Sequence, residues 1–565
     1  MEYIGHVIED GGSHAHLGMG TGHFFRALWG QDMSGIDVVL QQIRPQLDHF
    51  RFHSIGGNIG YHGEFFHYGL AKLGASLGHL DPKKKGRTMC EVFGAYGWSE
   101  GLKLMKWLLD HMLVNGVNCF VPHAFTMKDF PDPDCPPHFY ARGMNPQFPY
   151  FRYLMEYCNR VSHLISGGKH IPCAAVLYTA EQEWMGEYIP FETAGRELTA
   201  NQIDFEVLPE EYLLSVSVEN GQLRWRNEQV QVLIIPGSRC ISASLAGWLN
   251  QAAQNGLTII FYGKRPDILE ENADLSGDWN IQPDCLHKMP VCEKGELAQL
   301  LRKRGFYELE VGKKEPWLRY YHYSHEKGAF WLLFNESDTD EIHTRLEWRQ
   351  VRPSACCWYD AWNNRLDVCE QDERDGIVLD LCPGEMKILY DSRESGTVRE
   401  LPSIRQRGRG KKDKERGQSA VIKTEPDTWR LWTKEAGETQ FSFRPEEGPG
   451  DFGRKHPYFS GTMRYEAEFT AAKAAPCILE LGQVYETAHV WVNGHEAGVR
   501  VAPPYRFEIG DLLREGKNVL RIEVINTLVN RQRDFFSMTM PMEPSGLIGP
   551  VKLIMQTSQS AEENS

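Results

Sequence analysis

Along residues 1 to about 125, short apolar runs alternate with longer stretches of helical periodicity. Tyr3 to Ile8 reads as a strand, Thr21 to Trp29 opens a helix, and Ile36 to Leu40 is an apolar strand carrying Asp37. Glu64 to Leu77 sets Phe65, Leu70, Leu73 and Leu77 on or near one helical face. Thr88 to Val92 is a short buried strand with Glu91 near its end. Gly94 and Gly97 then break the chain, and Ser99 is placed to cap the following helix, where Leu102, Met105, Leu109 and Met112 recur at helical spacing as far as Val114. Val117 to Val121 is the next strand, ending in Pro122-His123. Such alternation predicts parallel strands with crossover helices, in four units whose strands end at Glu9, near Gln41, at Glu91 and at His123. A closed (β/α) barrel takes twice as many strands, so the pattern predicts an open sheet or half a barrel with unpaired edges.

Asp129 to Pro149 is a proline-rich loop, and Phe151 to Ile165 an amphipathic helix stopped by Gly167-Gly168. From Ile171 the alternation restarts. Ala174 to Tyr178, Phe205 to Leu208, Val232 to Pro236 and Leu257 to Tyr262 read as strands, Ser242 to Gln254 as a helix, and Asn220-Gly221 as a hairpin turn. Glu181, Glu183 and Trp184 follow the first of these strands. Trp317 to Tyr390 holds only strand patterns, with turn signals at Asn363-Asn364 and Asp375-Gly376. Ser403 to Gly417 is rich in Arg and Lys with interspersed glycines and reads as a solvated linker. From Phe459 to Ile554 the strands return, with a hairpin at Asn493-Gly494 and Trp491 expected in the core.

The predicted fold class is therefore multidomain α/β plus all-β. Half a (β/α) barrel of four units occupies 1–167, a flavodoxin-like α/β domain 168–302, and a small β-sandwich 303–400. A basic linker at 401–427, a jelly-roll β-sandwich at 428–558 and a disordered tail at 559–565 complete the chain.

Charge narrows the function classes. The 565 residues carry 61 basic and 76 acidic side chains, a formal net charge of −15, which argues against a nucleic-acid partner. The 13 cysteines are odd in number and scattered, with no CxxC pair, so reduced thiols and a cytoplasmic setting are expected rather than a disulfide framework. The Met-Glu-Tyr-Ile-Gly-His start has no basic region followed by an apolar core, and no apolar run is long enough to span a membrane. Gly18 to His23 nearly matches a dinucleotide fingerprint but has His23 where the last glycine belongs.

Chemistry concentrates around Glu91. An acid at the C-terminal end of a barrel strand, followed by Tyr96 and Trp98, suits a sugar site, with a carboxylate for proton or nucleophile work and aromatic faces for the ring. The other reading of Glu91 is a buried acid paired with a neighbour such as Arg87. Glu9, Asp10, Asp37, Glu64, His67 and His123 are secondary substrate-binding candidates; Asp37, interrupting a buried run, also reads as structural, and His123 as a packed histidine.

Two sets of motifs resemble known families. Val490-Trp491-Val492-Asn493-Gly494, Pro503-Pro504-Tyr505-Arg506-Phe507-Glu508-Ile509 and Gly516-Lys517-Asn518-Val519-Leu520 resemble the galactose-binding-like jelly roll of glycoside hydrolases. Cys90-Glu91-Val92-Phe93 with Gly116 to Phe125 resembles the last two barrel strands of glycoside hydrolase family 106, the α-L-rhamnosidases, and a flavodoxin-like domain starting at Ala174 fits the same order. The resemblance implies a two-carboxylate glycosidase with Glu91 as one catalytic glutamate, the other lying on an earlier barrel strand, and a calcium ion as cofactor. It makes residues 1–167 the C-terminal half of a barrel, to be completed by a separate N-terminal half or a second copy. A β-galactosidase-like hydrolase and a non-catalytic carbohydrate-binding fragment are the alternatives.

Overall fold

The computed structural model describes residues 1–7, 21–53, 60–226, 228–270, 284–326, 328–349, 353, 356–369, 376–392, 419–421, 429–471 and 476–555. The candidates Glu9 and Asp10, the glycine-rich stretch at 18–20, Asp375, the basic linker apart from 419–421 and the C-terminal tail lie outside them. Compactness divides the chain into two units, Met1–Val92 with Asp110–Val121 and Asn159–Gln406, and Phe93–Leu109 with Pro122–Cys158 and Arg407–Ser565.

The first unit contains the sheet that carries Glu91. Ser34–Val38 pairs in parallel with Thr88–Val92, and Cys119–Pro122 joins as a third strand. Both paired strands are buried except at Glu91, as strands covered on both faces are. A helix built from Gly63–Phe65, a π turn at Phe66–Leu70 and Ala71–Leu80 covers them. It approaches so closely that a Cβ on Gly78 would lie 2.6 Å from Thr88 Oγ1. Asn118 ties the third strand in: its Oδ1 accepts from Thr88 N, and its Nδ2 donates to the carbonyls of Gly86 and Ile165.

The strand expected over Tyr3 to Ile8 does not form within the described residues, so the sheet has three strands where four were predicted. Residues 1–7 are held otherwise. Asp32 N donates to Tyr3 O at 2.8 Å, Tyr3 N donates to the Asp32 carboxylate, and Glu2 forms a two-pronged ion pair with Arg87. A Cβ on Gly35 would fall 1.9 Å from the Gly5 carbonyl oxygen, so glycine is what lets this segment lie on the strand. The helix expected from Thr21 is only Phe24–Leu28, capped by His23 Nδ1 accepting from Arg26 N.

A five-stranded parallel sheet follows in the same unit, ordered Val291–Cys292, Thr258–Tyr262, Val232–Pro236, Ala174–Leu177, Phe205–Leu208. The hairpin at Asn220-Gly221 joins Val218–Glu219 to Gln222–Trp225, and Ser242 caps Ala243–Gln254 by accepting from Leu245 N. Two further sheets share one core. Leu309–Val311, Ile342–Trp348 and Ile377–Leu381 form one; Arg365–Val368, Cys356–Asp360, Met386–Ser392, Gly328–Asn335, Leu318–Ser324 and Lys169–His170 form the other. Alternating burial along Ile342–Trp348 and Ile377–Leu381 is what one apolar face demands.

The second unit is dominated by two sheets around one apolar core. In the larger, Gly461–Ala471 pairs along its whole length with Gly516–Ile525, and Thr487–Val492 turns through Asn493-Gly494 into His495–Arg500. Both turn residues have positive φ, 53° and 81°. Trp491 is not in the core as expected. Val490 and Val492 point inward, so the two-residue period turns Trp491 to the other face, where its ring packs on His489 at 3.7 Å. Ser99 does not cap the next helix either. That helix begins at Leu102, whose N–H is satisfied by Gln147 Oε1. No helix among the described residues is long and apolar enough to cross a membrane.

Candidate active site

Parallel register sets Ile36 beside Cys90 and Asp37 beside Glu91. Register partners on adjacent strands send their side chains to the same face, so the two carboxyls meet at the C-terminal ends of their strands. Their environments differ. The Asp37 side chain is 5% exposed and that of Glu91 30%.

His6, in the segment pinned on Gly35, bridges them. Its Nε2 lies 3.1 Å from Glu91 Oε2 and its Nδ1 3.7 Å from Asp37 Oδ2, while Nδ1 also meets the Val7 carbonyl oxygen. The hydrogen bond to Glu91 raises the His6 pKa above the ordinary histidine value, against the opposing effect of burial and with help from the Asp37 charge. Arg87, the neighbour expected to pair with Glu91, is instead committed to Glu2 and to the carbonyls of Lys84 and Asp32. The result is a solvent-reaching carboxyl backed by an imidazole, itself backed by a buried acid. Such a chain can hold a proton, orient the outer carboxyl and stabilise its charge. Sequence reasoning missed His6, because no pattern places an unladdered segment over a strand that is 85 positions away.

The other described candidates have surroundings of their own. His67 sits in the π turn, buried, with its ring 5.5 Å from His111 and its Nδ1 3.9 Å from Glu336 Oε1, in a network that Arg319 completes. Glu64, in the first turn of the same helix, is half-buried. Tyr96 and Trp98 are fully packed in the second unit, so neither offers a free face to a sugar ring. Trp98 packs with Ala141, Ala436, Leu528 and Val529, and its N–H donates to Asp534. His123 is half-buried in the second unit.

Calcium, implied by the family resemblance, takes six to eight oxygen ligands. The space between Asp37 and Glu91 holds the His6 imidazole instead, and no metal-type cluster among the described residues includes either acid. The donors here do not fit that ion. The clusters that do occur are His79, His170, Glu206 and Glu228; His67, His111 and Glu336; and His23, Glu181 and Glu211.

No protein-family model matches the chain, and no curated protein matches it in sequence. Its structure is similar to that of the rhamnosidase from Novosphingobium sp. PP1Y, with a TM-score of 0.67 and 18% identity, over 94% of this chain and 52% of that one. The chain thus spans about half the length of that rhamnosidase. It also matches the GH42 beta-galactosidase Gan42B from G. stearothermophilus at a TM-score of 0.44 and 12% identity, over 66% of this chain and 61% of that one. Over the matched residues this mixed α/β chain shares its fold with that rhamnosidase, a resemblance its motifs suggested.

Proposed function

We propose that this chain is a glycosidase component of the α-L-rhamnosidase type, acting on a carbohydrate substrate with Glu91 as a catalytic carboxylate. One observation carries the reading: the solvent-reaching Glu91 carboxyl, at the end of a buried strand, is backed by His6 and Asp37. The fold shared with a solved rhamnosidase supports it. Barrel strands present their chemistry at this end.

Glycosidases use two carboxyl groups that flank the scissile bond. Asp37 is buried and tied through His6 to the same side as Glu91, so it serves as a positioning residue rather than the opposing carboxylate. On this reading the opposing group comes from barrel strands beyond these three, supplied by a separate barrel half or a second copy. The domain reading accompanies it. Numbered in chain order, the five-stranded sheet runs 2-1-3-4-5, the flavodoxin-like order. The two C-terminal sheets around one core support a jelly roll. Among the described residues twelve cysteines stand outside any disulfide, which supports a reducing, cytoplasmic setting.

A second reading, a non-catalytic carbohydrate-binding module, is favoured by the single solvent-reaching carboxyl in the assembled group. Aryl α-L-rhamnosides and aryl β-galactosides, assayed with the full chain alone and mixed with a polypeptide supplying the remaining barrel strands, separate the two. Rhamnoside turnover that Glu91→Gln abolishes is expected. Sugar binding without turnover in either preparation selects the binding module, and turnover indifferent to Glu91→Gln overturns the assignment.

A further inference from the structure

Away from Glu91, the first unit buries a second group of chemistry-bearing side chains that the proposed reaction does not use. His79 lies in the last turn of the helix Ala71–Leu80, His170 on Lys169–His170, Glu206 on Phe205–Leu208 and Glu228 on Glu228–Val230. Four separate elements thus each deliver one donor, and the four donor atoms lie within 4.8 Å of one another. Three of these residues, His79, His170 and Glu206, are at most 4% exposed.

In three of the four residues an atom outside this centre is held. His170 Nε2 donates to Asp204 Oδ2 at 2.6 Å, and Asp204 is paired with Lys72. Glu206 Oε2 accepts from Ser76 Oγ. Trp225 Nε1 donates to Glu228 Oε2 at 2.8 Å, which leaves the other oxygen of Glu228 unused. The His170 ring is further fixed by stacking on Tyr321 at 4.6 Å. What converges on the centre is then His79 Nδ1, His170 Nδ1, Glu206 Oε1 and a Glu228 oxygen, with both imidazole Nδ1 atoms against Glu206 Oε1. An imidazole ligand whose far nitrogen donates to a carboxylate is the arrangement that orients histidine on a metal.

The geometry points to a divalent metal site of the zinc type formed by His79, His170, Glu206 and Glu228. Two imidazoles and two carboxylates form a four-coordinate set of the nitrogen and oxygen donors that zinc accepts. Their two negative charges balance a dication in an interior where unbalanced charge is costly. Access exists as well. His170 and Glu228 line a cavity of about 450 Å³ together with Cys173, Gln222, Glu308 and His322.

The test uses the full chain with zinc alone as the probe. Metal-stripped protein titrated against a chromophoric zinc chelator should take up one equivalent per chain, and its melting temperature should rise with zinc and fall with EDTA. Glu228→Gln keeps the Trp225 hydrogen bond and loses the anionic ligand, so it should weaken binding at least about tenfold, and His79→Gln likewise. X-ray absorption at the zinc edge of the wild-type protein should show nitrogen and oxygen neighbours at about 2.0–2.2 Å and no sulfur, a readout independent of whether either variant folds. Failure to take up zinc with no response of the melting temperature, equal affinity in both variants, or sulfur in the shell would each overturn the site.

Discussion

His6 Nε2 and Glu91 Oε2 lie 3.1 Å apart although 85 residues separate them. The pair is made by backbone placement. Glu2 on Arg87, Tyr3 on Asp32 and the Gly5 carbonyl on Gly35 fix where residue 6 can fall.

If Glu91 performs proton transfer or nucleophilic attack, Glu91→Gln in an active preparation should lower turnover about 10²-fold or more, while the circular dichroism and melting temperature stay those of the wild type. Unchanged turnover on aryl rhamnosides would remove Glu91 from the mechanism.

The His6 pKa is raised in the folded chain, so the folded state holds a proton that the unfolded state gives up between the ordinary histidine value and the raised one. Its stabilising contribution is complete below about pH 6.5 and is lost as pH rises through the folded value. His6→Gln should therefore cost about 1 kcal/mol in acid and nothing in alkali, given how far both partners reach solvent. Urea melts of both proteins across this range check it, and a pH-independent difference contradicts it.

Gly35→Ala tests how His6 is placed. The added Cβ meets the Gly5 carbonyl at 1.9 Å, so the terminal segment has to move. A loss of about 1–3 kcal/mol is expected. The decisive outcome is that a subsequent His6→Gln change no longer alters the pH dependence.

Glu486 makes the second unit pH-sensitive in its own way. Burial pushes its carboxyl up to about 7, offset in part by the hydrogen bond from Gln147 and the charge of Lys103. Glu100, buried beside it, is also raised by burial and by the Glu486 charge. The folded state then binds protons that the unfolded state has released, and stability falls from the ordinary carboxyl range up to pH 7. At about 1.4 kcal/mol per pKa unit, Glu486 alone accounts for about 3 kcal/mol. Glu486→Gln should leave stability at pH 4.5 near the wild type and raise it at pH 8. A variant less stable than the wild type at pH 8 contradicts this.

In the C-terminal sheets, Ile522→Ala removes a fully buried side chain and should cost about 2–5 kcal/mol. Trp491→Ala should cost less despite its larger side chain, because Trp491 lies on the face away from the core. Matched urea melts of the two variants decide it.

Local pattern by itself determined the strands whose two faces are both buried or cleanly alternate. Thr88–Val92, Phe205–Leu208 and Val232–Pro236 stand where their apolar runs put them, and the Asn220-Gly221 and Asn493-Gly494 turns where positive φ is needed. In these elements the determining forces act between near neighbours, so sequence periodicity contains them. It also placed Asp37 and Glu91 on successive strands, but neither their pairing nor their register, because both are set between strands 54 residues apart. Tertiary structure alone decided which carboxyl reaches solvent, that Tyr96 and Trp98 are packed away, that Trp491 turns outward, and that His79, His170, Glu206 and Glu228 converge. Each depends on which face a neighbouring element covers. A titratable group takes its chemistry from charges and solvent brought to it by remote segments, and those distances are not written in its own stretch of chain.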